Sequence, residues 1–102
     1  MEYFALIYYV VDGFVLRRTA FREEHLRLLG EANRRGQLLL AGALGDPADR
    51  ALLVFRTQDR SIAEDFARND PYVINGLVTR WEVQPWAVVI GNDSTTFQGG
   101  VI

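Results

Sequence analysis

Hydrophobic positions fall into blocks whose spacing switches between strand and helix periods along the chain. Residues 3–11 (YFALIYYVV) are aromatic, aliphatic and β-branched throughout, which predicts a first strand that is apolar on both faces. Asp12-Gly13 breaks it, and residues 14–18 read as a loop. A helix is expected from about Thr19, an acceptable N-cap, with Glu23 and Glu24 where carboxylates suit the helix dipole. Phe21, Leu28, Leu29 and Ala32 share one face of it, and Gly36 follows Arg34 and Arg35 as a C-terminal stop.

The back half repeats the alternation. Residues 37–44 (QLLLAGAL) and 51–57 (ALLVFRT) read as two strands joined through Gly45-Asp46-Pro47, a hairpin by their short spacing. Ser61-Ile62-Ala63-Glu64 has capping-box spacing and opens a second helix that buries Ile62, Ala63, Phe66 and Ala67. Pro71 pushes Asp70 out of helical geometry, so this helix ends at about Asn69, and a short turn follows through Asn75-Gly76. Residues 77–85 alternate, with Leu77, Thr79, Trp81, Val83 and Pro85 on one side, as in a half-exposed strand. Residues 86–90 (WAVVI) suggest a further short strand, and the remainder is polar and glycine-rich.

The order β-α-β-β-α-β, with an extra edge, predicts an α+β, ferredoxin-like antiparallel sheet with two helices on one face. One domain over residues 1–91 and a polar C-terminal tail over 92–102 are expected. The apolar second face of the first strand needs a cover, and a second copy of the chain supplies one most economically, which makes a homodimer the expected assembly. A higher oligomer is compatible with the same reasoning.

Composition narrows the function classes. A chain of 102 residues fits one domain. The net charge is −2, with arginines scattered among acids, so no basic face for nucleic acid is expected. There are no cysteines, which excludes disulfides, thiolate catalysis and zinc–thiolate sites. Together with a first segment that lacks a basic n-region, this leans toward a cytoplasmic location. No apolar run reaches the ~20 residues of a membrane span, and no cofactor is called for.

His25, the only histidine, lies on the apolar stripe of the first helix. A lone histidine there is ordinarily a partly buried residue bonded to a backbone carbonyl. Asn69-Asp70-Pro71-Tyr72 is ordinarily turn material. The two gain weight as a pair: both helices lie on one sheet face, and a carboxylate at the imidazole would hold one tautomer, the minimum equipment for moving a proton. Arg22 precedes His25 by about one helical turn and is a candidate for binding an anion. Gly42 interrupts a strand, as at a bulge or where a ligand approaches the backbone, and Tyr72 is the candidate cleft wall beside Asp70. Nothing marks an activated serine, and one histidine with scattered acids does not make a transition-metal site.

Four stretches in order resemble the YCII-related (YciI-like) family. They are Arg22-Glu23-Glu24-His25-Leu26 (R-x-x-H-L), Gly36-Gln37-Leu38-Leu39-Leu40-Ala41-Gly42 (G-x-L-x-x-x-G), Asp70-Pro71-Tyr72-Val73 followed by Gly76-Leu77, and Trp81-Glu82-Val83-Gln84-Pro85-Trp86. The resemblance spans roughly residues 2–90. It implies a ferredoxin-like fold assembled as a dimeric α+β barrel, and an active site on His25 and Asp70. It also implies kinship with isomerase and dehydrochlorinase chemistry. The expected function is a small acid/base enzyme, an isomerase or a dehydrochlorinase-like lyase, acting on a small organic acid or phenolic ring. Its alternatives are a non-catalytic metabolite-binding or accessory dimer and, third, a haem-using member of the wider barrel superfamily with His25 as axial ligand.

Overall fold

The computed structural model describes residues 1–91. Strand β1 (Glu2–Val10) leads into a short helix α1 (Phe14–Arg17), a 3-10 turn (Arg18–Phe21) and helix α2 (Arg22–Arg34). Strands β2 (Leu38–Leu44) and β3 (Arg50–Thr57) form the hairpin, followed by α3 (Ser61–Asn69), α4 (Pro71–Ile74) and β4 (Val78–Trp86). The sheet is antiparallel, in the order β2-β3-β1-β4. This is the α+β, ferredoxin-like arrangement expected from the sequence.

Register explains which face the helices cover. Phe4, Leu6 and Tyr8 stand opposite Phe55, Leu53 and Ala51 on β3, and opposite Pro85, Val83 and Trp81 on β4. Because side chains alternate between faces, these rows share one side, and the buried core forms there with Phe14, Ala32, Ala63 and Ala67. The other side presents Ala5, Ile7, Leu52 and Leu40 beside Tyr3 and Tyr9, with Arg56, Arg80, Glu82 and Gln84 among them. Among the described residues no element packs on it. No helix among the described residues is long and apolar enough to cross a membrane.

Four local readings change. Residues 14–18 are helical rather than a loop, because Phe14 is anchored in the core at 4 % exposure and pulls the chain into a turn directly after Gly13, which sits at φ +72°. Thr19 therefore caps nothing, and α2 starts at Arg22. The capping box at Ser61 is not formed: the Asp59 carboxylate accepts from both the backbone N–H and the hydroxyl of Ser61, which holds its pKa below the ordinary carboxylate value. Residues 71–74 form a full helical turn, α4, within the stretch expected to be a short turn.

In β4 the alternation breaks at a bulge. Tyr9 pairs with Arg80 but Val10 with Val78, leaving Thr79 unpaired, and its hydroxyl donates to the Tyr9 carbonyl at 3.0 Å. Leu77 and Val78 are both buried as a result. Residues 87–91 add no strand, since β1 runs out opposite Trp86 and its other edge is taken by β3. The polar tail over 92–102 lies outside the described residues.

Candidate active site

Asp70 sits between α3 and α4 in an extended conformation (φ −75°, ψ 125°), as a residue preceding proline should. That turn aims its carboxylate into the protein, where it caps α4 by accepting the Tyr72 backbone N–H at 3.0 Å. The same carboxylate faces His25 Nδ1, with both oxygens at 2.9 and 3.0 Å. The Tyr8 hydroxyl completes the set, donating to Oδ2 at 2.7 Å. Three donors from β1, α2 and α4 thus converge on a carboxylate that is 0 % exposed.

Such convergence is what a buried carboxylate requires, since an unpaired one is very costly to desolvate. Burial, then the Asp70 charge and hydrogen bond, push the Tyr8 hydroxyl far above its ordinary pKa of 10, so it stays a donor. With Nδ1 donating to Asp70, the imidazole is held as the tautomer whose Nε2 is an acceptor. Nε2 has no hydrogen-bond partner among the described residues. Tyr72 stacks on the imidazole with ring centroids 3.8 Å apart and planes 15° from parallel, and Phe14 meets Tyr72 edge-on at 5.4 Å. The ring of His25 is therefore fixed by a hydrogen bond on its edge and an aromatic ring on its face.

His25 lines a cleft of about 140 Å³ between α2 and the β2–β3 side of the sheet. Leu29, Leu53 and Ala43 contribute apolar wall, while Tyr8, Tyr72, Arg18 and Arg22 bring the polar groups. Cavities of about 150 Å³ hold one benzene ring, so the enclosed part suits a single ring and is too small for a porphyrin. No group of three metal-ligating side chains occurs among the described residues.

The five residues singled out from the sequence are placed differently. His25, Tyr72, Arg22 and Gly42 all line the cleft. Asp70 does not: it lies behind His25, touching the imidazole and sealed from the cleft, so it positions His25 without reaching a ligand. Gly42 forms no bulge, which falls between Leu38 and Leu40 instead, and a Cβ there meets nothing within 4 Å. Two cleft residues escaped the sequence reading. Tyr8 fell within the strand expected to be apolar on both faces, although its even-numbered place beside Phe4 and Leu6 buries a hydroxyl that must find a partner. Arg18 fell within the stretch read as a loop.

The family model for the YCII-related domain matches residues 1–87. Among solved structures, the 5-chloro-2-hydroxyhydroquinone dehydrochlorinase (TftG) from Burkholderia phenoliruptrix AC1100, in complex with 2,5-dihydroxybenzoquinone, matches with a TM-score of 0.68. The two sequences are 18 % identical, and the match covers 82 % of this chain and 92 % of that one. At that identity the likeness speaks for the fold. No curated protein matches the chain. With a family match over most of its length and four motifs in family order, the chain belongs to the YCII-related domain family.

Proposed function

We propose that the protein is a small acid–base enzyme, an isomerase or lyase, acting on a small organic acid or a single phenolic ring. The observation that carries this reading is the His25–Asp70 contact at 2.9 Å at the back of a ring-sized cleft. His25 Nε2 takes a proton from the substrate and returns it in an isomerisation or releases it to solvent in an elimination, while Asp70 fixes the tautomer and stabilises the imidazolium that forms. Proton transfer by a positioned side chain contributes typically about 10²- to 10⁴-fold. Tyr72 and Gly42 border the ligand, and Arg22 answers its negative charge. The solved dehydrochlorinase adds support for the chemistry: loss of HCl needs a base for the proton while chloride leaves with the C–Cl bonding pair.

The apolar centre of the sheet's open face, bordered by Arg56, Arg80, Glu82 and Gln84, supports pairing with a second copy. A residue pattern such as Ala5, Ile7, Leu40 and Leu52 on one surface favours burial over water. The assembly is then a dimeric barrel with two clefts. Domain 1–91 is the unit that pairs, and 92–102 is an appendage to it.

Chloride release from 5-chloro-2-hydroxyhydroquinone, measured for wild type and His25→Gln, tests the reading. Turnover that falls at least 100-fold in the variant is expected. Turnover that survives removes His25 as the base. Thermal stabilisation by 2,5-dihydroxybenzoquinone with no turnover of the chlorinated compound favours the metabolite-binding alternative.

A further inference from the structure

Tyr72 is 2 % exposed, yet its hydroxyl oxygen is buried and makes no hydrogen bond of acceptable geometry among the described residues. Buried polar atoms of this kind are uncommon, and each calls for an explanation. Two guanidinium groups lie close enough to act on this hydroxyl. Burial raises the Tyr72 pKa; Arg22, through its charge and through a hydrogen-bonding approach that is poorly aligned, and then the Arg18 charge pull it back, while Asp70 adds to the rise. Neither arginine makes an ion pair with a carboxylate among the described residues, whereas Arg27, Arg60 and Arg68 each do. Arg18 is half-buried and held over the Phe14 ring, its Cζ 5.5 Å from the centroid. All three groups line the same cleft as His25.

A buried hydroxyl with no well-aligned hydrogen bond, beside two cations that pair with no carboxylate among the described residues, is a site prepared for negative oxygen. We infer that Arg18, Arg22 and the Tyr72 hydroxyl form an oxyanion subsite, and that the ligand is a single ring carrying an ionised oxygen: a phenolate, a vinylogous enolate or a carboxylate. Arg18 is the specificity-determining residue, since its stacking on Phe14 fixes one side of the subsite. The inference rests on the acid–base reading for the location of the ligand and adds to it the ligand's charge. It also assigns a purpose to the short helix α1 and the 3-10 turn, which place Arg18 one turn ahead of Arg22.

The test compares two six-membered rings of similar size by titration calorimetry at low ionic strength. 2,5-Dihydroxybenzoquinone is a vinylogous acid, ionised at neutral pH, and hydroquinone is uncharged. Wild type is expected to bind the anion at least tenfold more tightly, with the preference narrowing as salt rises. Arg18→Gln is expected to cost about tenfold for the anion and to leave hydroquinone unchanged. Tyr72→Phe is expected to weaken the anion several-fold while raising the Tm by a few degrees, because it removes an unsatisfied buried hydroxyl.

Equal affinity for the two rings overturns the inference, as does a failure of the anion to bind at millimolar concentration. So does a Tyr72→Phe variant that gains stability and loses no affinity, which would make the hydroxyl a packing defect. The two readings fail separately. Charge preference without His25-dependent turnover sinks the enzyme and keeps the subsite, and His25-dependent turnover with no charge preference does the reverse.

Discussion

Asp70 and Tyr72 are two residues apart, both buried, and opposite in how their polar atoms are served. Every face of the Asp70 carboxylate is occupied, by Tyr8, His25 and the Tyr72 amide. The Tyr72 hydroxyl makes no hydrogen bond of acceptable geometry among the described residues, with the Arg22 and Arg18 guanidiniums acting on it. Folding alone explains the first, because a buried carboxylate must be neutralised by donors if the domain is to be stable. Folding does not explain the second, since phenylalanine would fill the space at less cost. A fully satisfied buried group holds the site together, and an unsatisfied one faces what the site is for.

The difference can be sharpened by substitution. Asp70→Ala leaves the donors of Tyr8, His25 and Tyr72 without an acceptor, and a loss of about 3–5 kcal/mol is expected in urea unfolding. That is a large share of the 5–15 kcal/mol typical of a domain. Tyr8→Phe removes one hydrogen bond to a charged acceptor and is expected to cost about 2 kcal/mol. In contrast to both, Tyr72→Phe gains stability.

A smaller effect appears with alkali. The folded-state pKa of Tyr8 is raised, so above the unfolded tyrosine value of about 10 the unfolded chain sheds a proton that the folded chain keeps. This contribution is complete below that pH and declines above it, by about 1.4 kcal/mol per pH unit. The chain has no lysine and no cysteine, which leaves this range to its tyrosines. Unfolding free energies measured between pH 9 and 11.5 should show the slope in wild type, and Tyr8→Phe should reduce it to the smaller part that Tyr72, also raised by burial, contributes. The smallest effect is expected at Gly42→Ala, where the Cβ enters open space and stability changes within about 0.5 kcal/mol. A loss of ligand affinity in that variant would show that the ligand reaches the β2 backbone.

The same contrast marks what the sequence made legible. The strands and both long helices followed from hydrophobic spacing, and the stripe through Phe21, His25 and Ala32 placed His25 on the sheet-facing side. Pro71 fixed the backbone of Asp70. What remained hidden depends on distant contacts. The helicity of residues 14–17 comes from Phe14 docking against Tyr72, a contact between opposite halves of the chain. The bulge at Thr79 depends on pairing with β1, and no alternation within β4 reveals it. Tyr8 looked like any aromatic strand residue until its partner 62 positions away was in place. Spacing could set His25 and Asp70 on the same side of the sheet, but their meeting depends on the α3–α4 junction folding back over α2.

The proposed chemistry depends on Asp70 fixing the His25 tautomer and leaving Nε2 to the ligand. Nitrogen-15 NMR of the imidazole reads this directly, because the chain has a single histidine and its two ring nitrogens need no assignment against others. In the neutral ring Nδ1 is expected to carry the proton and Nε2 none, with the Nε2 resonance shifting as 2,5-dihydroxybenzoquinone is added. A proton resident on Nε2, or ring resonances that ignore a saturating ligand, would contradict it.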